Sequence, residues 1–412
     1  MKLMTAALAV VVAVGAGALA VAAQDKGPIK IGFIVPKTGN FAQMGMDKLE
    51  GFKLYLNEID YSIAGRKIEL IVEDEGATPA TAVTKARKLI QHDKVHLIAG
   101  LFMAAAAYAV APVAEQAGVP VVITAAASDD LTQRKASKYM ARVSFTGGEF
   151  GHVAGDYAYR KLGWRKVAVI AFDYGWGHEV TGGFQRVFEE LGGQVVQKIW
   201  APVNTADFGP YVASIKTDAD GVLDVVTGAA SIRLLGEMRK AGLLDRNKVL
   251  AAGTATDETL LTALGDTALG VLSFQNWSAA LDTPENKQFV EKIRRATNKE
   301  YVGMSAAMAY GGAMWIAEAI RQVNGDVENK EKFFQTLRAT EIKSSPRGPI
   351  KIDKYGHIIQ NVYIRRVEKV GNAYQNTVIE TYPAVSQFFK FNPEEYLKQP
   401  IYSRDVPSCK YC

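Results

Sequence analysis

The sequence predicts two doubly wound α/β lobes, and three observations point to them. Short β-branched runs alternate with helical stretches, the rhythm of βαβ units in parallel sheets. That rhythm runs for about five strands, passes through Thr146-Gly147-Gly148, and restarts for about five more. The strands also end repeatedly in small or polar residues, as at Gly100, Ala125, Gly228 and Gly253. In open parallel sheets the loops after strand carboxyl ends converge on one edge, and ligands sit there.

Taken in order, the chain opens with a leader, residues 1–23. Lys2 supplies a positive start, residues 8–21 an apolar core, and Ala20-Val21-Ala22 or Val21-Ala22-Ala23 a small-residue cleavage site. A GxGxxA match at Gly15–Ala20 lies inside this leader with no strand before it and is discarded. An uncleaved anchor is the alternative, because the apolar run nears spanning length. No cysteine follows the cleavage site, which argues against a lipid anchor. The expectation is an exported protein cleaved after Ala22 or Ala23; the resemblance given below implies that it is periplasmic.

Ile29–Val35 reads as a buried strand, residues 36–45 as a loop, and 47–58 as a helix with Leu49, Phe52, Leu54, Tyr55 and Leu56 mostly on one side. Arg66–Asp74 alternates as a strand, and 79–92 forms a helix ending in basic residues. Residues 95–99 are a strand closed by Gly100, 103–117 an alanine-rich helix with a kink at Pro112, and 119–124 a strand before the small and polar loop 125–130. Two loops thus lie side by side, and one opens a helix whose unpaired N–H groups suit a carboxylate. The plainer reading is an ordinary βαβ unit with alanines for close packing. Phe41, Phe102 and Met103 are apolar residues in these loops. They either face a cleft or simply pack.

Residues 139–145 form a strand and 149–162 a helix. The second run follows: strand 166–173, loop 174–177, helix 178–191 closed by Gly192-Gly193, strand Gln194–Ala201, helix 208–217, strand 224–227, helix 232–241 and strand 248–252. Helices at 284–296, 305–323 and 327–340 come next. Residues 349–353, 360–367 and 377–381 read as strands around turns, before an aromatic- and proline-bearing tail.

Composition narrows the class. The chain has 412 residues, 48% hydrophobic and 22% charged, which is globular. Its 48 basic residues against 43 acidic are too balanced to argue for nucleic acid. Cys409 and Cys412 are the only cysteines, read as a tail disulfide or two idle thiols. The five histidines show no metal spacing, and no cofactor is expected. No GxSxG elbow, Walker loop or HExxH occurs, which weighs against an enzyme.

With these pieces in place the chain resembles the periplasmic solute-binding proteins of ABC importers, of the branched-chain amino acid (Leu/Ile/Val-binding) type. The resemblance rests on ordered segments: IKIGFIVPKTGNFAQMGMD, GRKIELIVEDE, VAPVAEQAGVPVVITAAASDDLT, KVAVIAFDYGWGHEV and SPRGPIKIDKYGHIIQNVYIRRV, among others. It implies a type I periplasmic binding protein fold with three crossings between lobes. Lobe one would comprise 28–145 and 273–343, lobe two 146–272 and 344–385, and the tail 386–412. The implied partners are a small hydrophobic carboxylate and an inner-membrane ABC permease, with the protein a monomer. A ligand-sensing receptor subunit is the alternative.

The resemblance also carries residue roles. Alanine stands at Ala104 where the family has a carboxylate-binding serine, leaving the backbone N–H. Ala126 fits a backbone contact and Ser128 a hydroxyl contact, while Tyr174 matches the tyrosine that closes from lobe two. The acidic residue that would hold an ammonium group should lie near 253–256, but the sequence there is Gly-Thr-Ala-Thr, including Thr254, and Asp257 reads as a helix cap. An unpartnered buried ammonium is costly. The sequence therefore favours an aromatic, amine-free acid over a branched-chain amino acid, which stays a close second.

Overall fold

The run IKIGFIV forms β1 (Ile29–Val35), buried along nearly all its length, as a strand covered on both faces must be. It belongs to a computed structural model that describes residues 26–39, 41–244 and 248–412. The leader expected over 1–23 lies outside them. After β1 come α1 (Ala42–Glu58), β2 (Ser62–Ile63), β3 (Arg66–Asp74), α2 (Pro79–Arg87), β4 (Leu97–Gly100), α3 (Ala104–Gln116), β5 (Val121–Ile123) and β6 (Met140–Arg142). The first sheet runs β2-β3-β1-β4-β5-β6 and is parallel except for the short β2–β3 pair. Strand order reverses between β1 and β4, so the loops after these two strands open the crevice of the first lobe.

The second run is α4 (Gly147–Arg160), β7 (Lys166–Phe172), α5 (Gly175–Glu190), β8 (Gln194–Ala201), α6 (Gly209–Ala213), β9 (Gly221–Val225), α7 (Ala229–Lys240), β10 (Val249–Ala252), α8 (Leu261–Leu264) and β11 (Leu272–Gln275). Next are α9 (Pro284–Thr297), α10 (Met304–Gln322), α11 (Lys330–Ala339), β12 (Lys351–Ile352), β13 (Ile358–Val370), β14 (Ala373–Val385) and α12 (Pro393–Lys398). The second sheet runs β12-β13-β11-β10-β9-β7-β8, with β14 paired to β13. Its order reverses between β7 and β9. Helix α10 returns to the first lobe and lies so close on α1 that a Cβ on Gly51 would sit 2.1 Å from the Ala306 carbonyl oxygen.

Several elements differ from expectation. The stretch 174–177 is not a loop: α5 starts at Gly175, with Tyr174 as its N-cap and Trp176 in its first turn. Of its two glycines only Gly177 serves packing, since a Cβ there would lie 2.0 Å from the Phe172 carbonyl oxygen, whereas Gly175 has open space around it. Helix 79–92 stops at Arg87 and closes with a π-helical turn, Lys88–His92. Helix 208–217 shrinks to α6, and the strands near 360–367 and 377–381 lengthen into a hairpin of two 13-residue strands. β11 stays in the second sheet through Gln275, between β10 and β13.

Helices α4 and α5 meet through a glycine ridge. Gly147, Gly151 and Gly155 recur every fourth residue of α4, one face of a helix. Cβ atoms there would lie 2.6 Å from the Glu179 side chain, 2.2 Å from the Val180 carbonyl oxygen and 2.6 Å from that of Phe184. The backbones therefore touch, and α5 is seated directly on the helix that follows the first passage between the lobes.

The tail joins both lobes. On the first-lobe side Arg134 donates to the carbonyls of Tyr396, Leu397 and Gln399 at 3.1, 3.1 and 2.6 Å. On the second-lobe side Tyr402 bonds His152 of α4, Arg404 pairs with Asp173, and Gln185 donates to the Ser408 carbonyl. Cys409 and Cys412 are disulfide-bonded. Among the described residues no helix is long and apolar enough to cross a membrane.

Candidate binding cleft

The carboxyl edges of the two sheets meet. The Met304 N–H at the start of α10 donates to Asp257 on the loop after β10, at 3.1 Å. Ser128, on the loop after β5, reaches Glu179 of α5 at 2.8 Å. Between these contacts lie the crevices of both lobes. The helices that start there, α1, α3, α5 and α7, have no side-chain cap, as is also true of α6, α8 and α10, whereas α2, α4, α9, α11 and α12 are capped by Thr78, Thr146, Thr283, Asn329 and Asn392. Uncapped first-turn N–H groups keep their donors and positive end for an anion.

Each sequence-derived candidate has a definite place. Phe41 caps α1 and packs against Phe102, ring centroids 5.0 Å apart. Both rings, with Met103, are only partly buried. Ala104 is the first residue of α3. These four gather at the switch point of the first lobe. Tyr174 stands at that of the second: its ring meets Phe172 at 6.3 Å, its hydroxyl pairs with Thr227, and burial pushes the phenol up to about 12. Thr254 is buried, and its hydroxyl has no partner. Beside Tyr174, Trp176 packs edge-on to Phe145, centroids 5.3 Å apart, with its indole N–H likewise unpartnered.

Ala126 and Ser128 depart from the simple expectation of free ligand contacts. The Ala126 N–H donates to the Leu101 carbonyl at 3.0 Å, and its carbonyl accepts from Arg142 at 3.2 Å, so this backbone is spent on holding two cleft loops together. The Ser128 hydroxyl donates to Glu179 while bonding the Tyr108 hydroxyl at 2.9 Å. Asp257 is a cap, as its sequence position implied: it accepts from Thr259 N–H as well as from Met304. The next carboxylate, Glu258, pairs with Arg365 at 3.4 Å and accepts from the Ala279 N–H.

Sequence reasoning missed the groups beneath the cleft. Glu75 accepts from the N–H groups of Phe102 and Met103 at 2.7 and 2.8 Å. Lys48 donates to the Thr124 carbonyl at 2.6 Å, just before the 125–128 loop. Both are fully buried, and burial moves each to about 7, Glu75 upward and Lys48 downward. Lys48 had a readable signal, a charge on the Leu49–Phe52–Tyr55 side of an apolar helix, and Arg142 another, an arginine within the apolar run YMARVSF.

Arg142 centres a network that links the first sheet to β13 and α4. Its guanidinium donates to His357 Nδ1 at 3.0 Å, to the carbonyls of Ala126 and Ser128, and to Thr132. His357 passes the chain on, its Nε2 bonding Glu149 at 2.9 Å, and Gln360 links Glu149 to Arg347. Accepting from Arg142 requires an unprotonated Nδ1. Burial, then Arg142 and Arg347, holds His357 well below its ordinary value. Glu149 is pushed up to about 8 by burial. Glu179 is raised well above the carboxylate range by burial and by Asp129, which itself accepts from the Gly148 N–H.

Known proteins match this arrangement. The family described as "Periplasmic binding protein" matches residues 28–372. A Leu/Ile/Val-binding protein homolog 6 from Brucella melitensis is 32% identical over 371 residues, covering 88% of this chain and 94% of that one. An ABC transporter substrate-binding protein from Sphaerobacter thermophilus superposes with a TM-score of 0.84 at 35% identity, covering 87% of this chain and 99% of that chain. A solute-binding protein from Rhodopseudomonas palustris BisB5, solved with 3,4-dihydroxybenzoic acid, gives 0.81 at 34% identity over 87% and 98%.

Proposed function

We propose, for a chain that belongs to the periplasmic binding protein family and is the substrate-binding component of an ABC transporter, that its cargo is an aromatic carboxylate without an amine. The observation that carries this reading is the commitment of the carboxylates on the loop after β10. Asp257 is tied to protein donors, Glu258 is paired with the buried Arg365 and held through Oε1, leaving only Oε2 without a partner, and residues 253–256 offer no carboxylate. An ammonium group placed there would be buried without a counter-charge, at a cost of several kcal/mol. The anion end is different, because the α3 N-terminus at Ala104 carries no cap. Phe41, Phe102, Met103, Tyr174 and Trp176 supply the surface for a ring, with Ser128 and Thr254 as polar neighbours and Ala126 as a loop tie. The 3,4-dihydroxybenzoic acid of the Rhodopseudomonas neighbour supports the same class.

A branched-chain amino acid is the second reading, and one residue favours it. Glu179 stands against Ser128 with Oε2 unpartnered, and ionised it would answer an ammonium group; the name of the Brucella relative points the same way. Thermal unfolding with both ligand sets separates the two. At about 100 times its dissociation constant a ligand adds roughly 2.7 kcal/mol of stability. We expect this from benzoate- and cinnamate-type acids and not from leucine, isoleucine or valine. The reverse pattern overturns the aromatic reading.

The units that grip the ligand are proposed as residues 28–145 with 276–343, and 146–275 with 344–385, the boundary expected at 272/273 being moved to 275/276 because β11 pairs within the second sheet through Gln275; they act as a monomer that hands its cargo to a permease. Export is proposed to remove the leader after Ala22 or Ala23. Amino-terminal sequencing of the exported protein should start at Ala23 or Gln24, and an intact Met1 on membrane-bound protein would refute cleavage.

A further inference from the structure

Glu75 sits in an unusual place for a carboxyl group. It lies at the carboxyl end of β3, fully buried, and takes the N–H groups of Phe102 and Met103, the two residues just before α3. It thus occupies part of the donor set that a ligand carboxylate at Ala104 would approach. The next donors, in the uncapped first turn of α3, have no side-chain partner. Lys48 holds the neighbouring loop through the Thr124 carbonyl. A buried acid and a buried base therefore shape the two loops of the first-lobe cleft from behind.

We propose that Glu75, with Lys48, is a positioning residue for the ligand carboxylate, and that this pair takes up a proton when the anion binds. The inference rests on the anion site proposed above. Its physical basis is charge proximity: a second anion beside the α3 N-terminus disfavours an ionised Glu75 and favours a protonated Lys48.

The other charged groups facing the pair are accounted for. Asp74, beside Glu75, accepts from the Lys37 and Gly76 N–H groups and the Thr38 hydroxyl. Asp47, beside Lys48, is paired with Lys299 at 2.8 Å. Arg347 faces Lys48 from the third passage between lobes and donates to Gln360 and the Val143 carbonyl. None of these three is buried against the α3 N-terminus as Glu75 is.

The sign follows from linkage. The complex binds more protons than the free protein, so affinity falls as pH rises. Both groups titrate near 7 in the free protein, so the profile should be flat below about pH 7 and decline above it. One proton permits at most a tenfold fall per pH unit, and we expect roughly three- to tenfold between pH 6.5 and 8.5.

Calorimetry of the full mature chain in buffers of different ionisation enthalpy counts the protons taken up, using the tightest binder among 3,4-dihydroxybenzoate, benzoate and leucine. Uptake above pH 7 in the wild type, lost in Glu75→Gln or in Lys48→Met along with the pH slope, supports the proposal. A purely structural role would lower stability and leave slope and uptake intact. No uptake in the wild type, or uptake that persists in Glu75→Gln and in Lys48→Met alike, overturns it, and the wild-type measurement stands even if a variant does not fold. If none of the three binds, the anion-site reading falls and takes this inference with it.

Discussion

Replacing Arg142 with methionine is expected to destabilise the protein by about 3–5 kcal/mol. The side chain is fully buried, and its partners have been arranged around a cation. Removing it takes a donor from the Ala126 and Ser128 carbonyls, His357 Nδ1 and the Thr132 hydroxyl; the Ser128 carbonyl keeps only the Leu131 N–H at 3.4 Å and the Thr132 hydroxyl only Gln387. Methionine fills some volume but offers no N–H. The damage spans both lobes, because Arg142 ends β6 while His357 lies at the edge of β13 and Glu149 within α4. Urea unfolding followed by circular dichroism measures the loss, and a change below about 1 kcal/mol would show that the network is not what secures this junction. Binding should weaken in parallel, since the 126–128 loop loses its anchor.

Gly151→Val should cost about 3 kcal/mol, at the upper end for overpacking. A Cβ at this position lies 2.2 Å from the Val180 carbonyl oxygen and 2.7 Å from the Phe184 nitrogen. Those are backbone atoms, so no rotamer change relieves the clash and the helices must separate. Separation would also lift the start of α5, and with it Tyr174 and Trp176, away from the cleft. The gain in helix propensity over glycine, under about 1 kcal/mol, is too small to compensate. Gly163→Ala serves as the control: it lies past the end of α4 with open space around it, and its positive φ of 72° makes any penalty local. A melting temperature for Gly151→Val equal to wild type would refute the close approach.

Much of the fold was legible because periodicity reports burial directly. β1, β3 and β8 have the bounds their patterns predicted: β1 is buried on both faces and reads as a continuous apolar run, while β3 and β8 are only partly buried and still carry strand signals. Glycine misled. Gly175 and Gly177 look like a turn, and only the packed structure reveals that α5 starts at Gly175 and that Gly177 lets it lie directly against the end of β7. The cleft was legible as loops, since strand ends and switch points are properties of topology. Its chemistry was less so. Ser128 reads as a ligand hydroxyl, yet its partner Glu179 lies 51 residues away on the other lobe, a pairing that no local pattern contains. The same holds for Glu75 and the amides of Phe102 and Met103, 27 and 28 residues on.

The two ends of the described chain lie on different lobes. Lys26 pairs with Asp326 at 2.6 Å, and its carbonyl accepts from Arg66, both in the first lobe. Cys409 rests against the Val195 carbonyl of β8, and Lys198 of the same strand holds Pro407 at 2.6 Å. A pair of fluorophores attached at the ends would therefore ride on separate bodies, and resonance energy transfer between them would follow the hinge angle itself. Because the carboxyl end is fastened down, the acceptor would move with its lobe, and the readout would track the aperture with little noise from a loose tether.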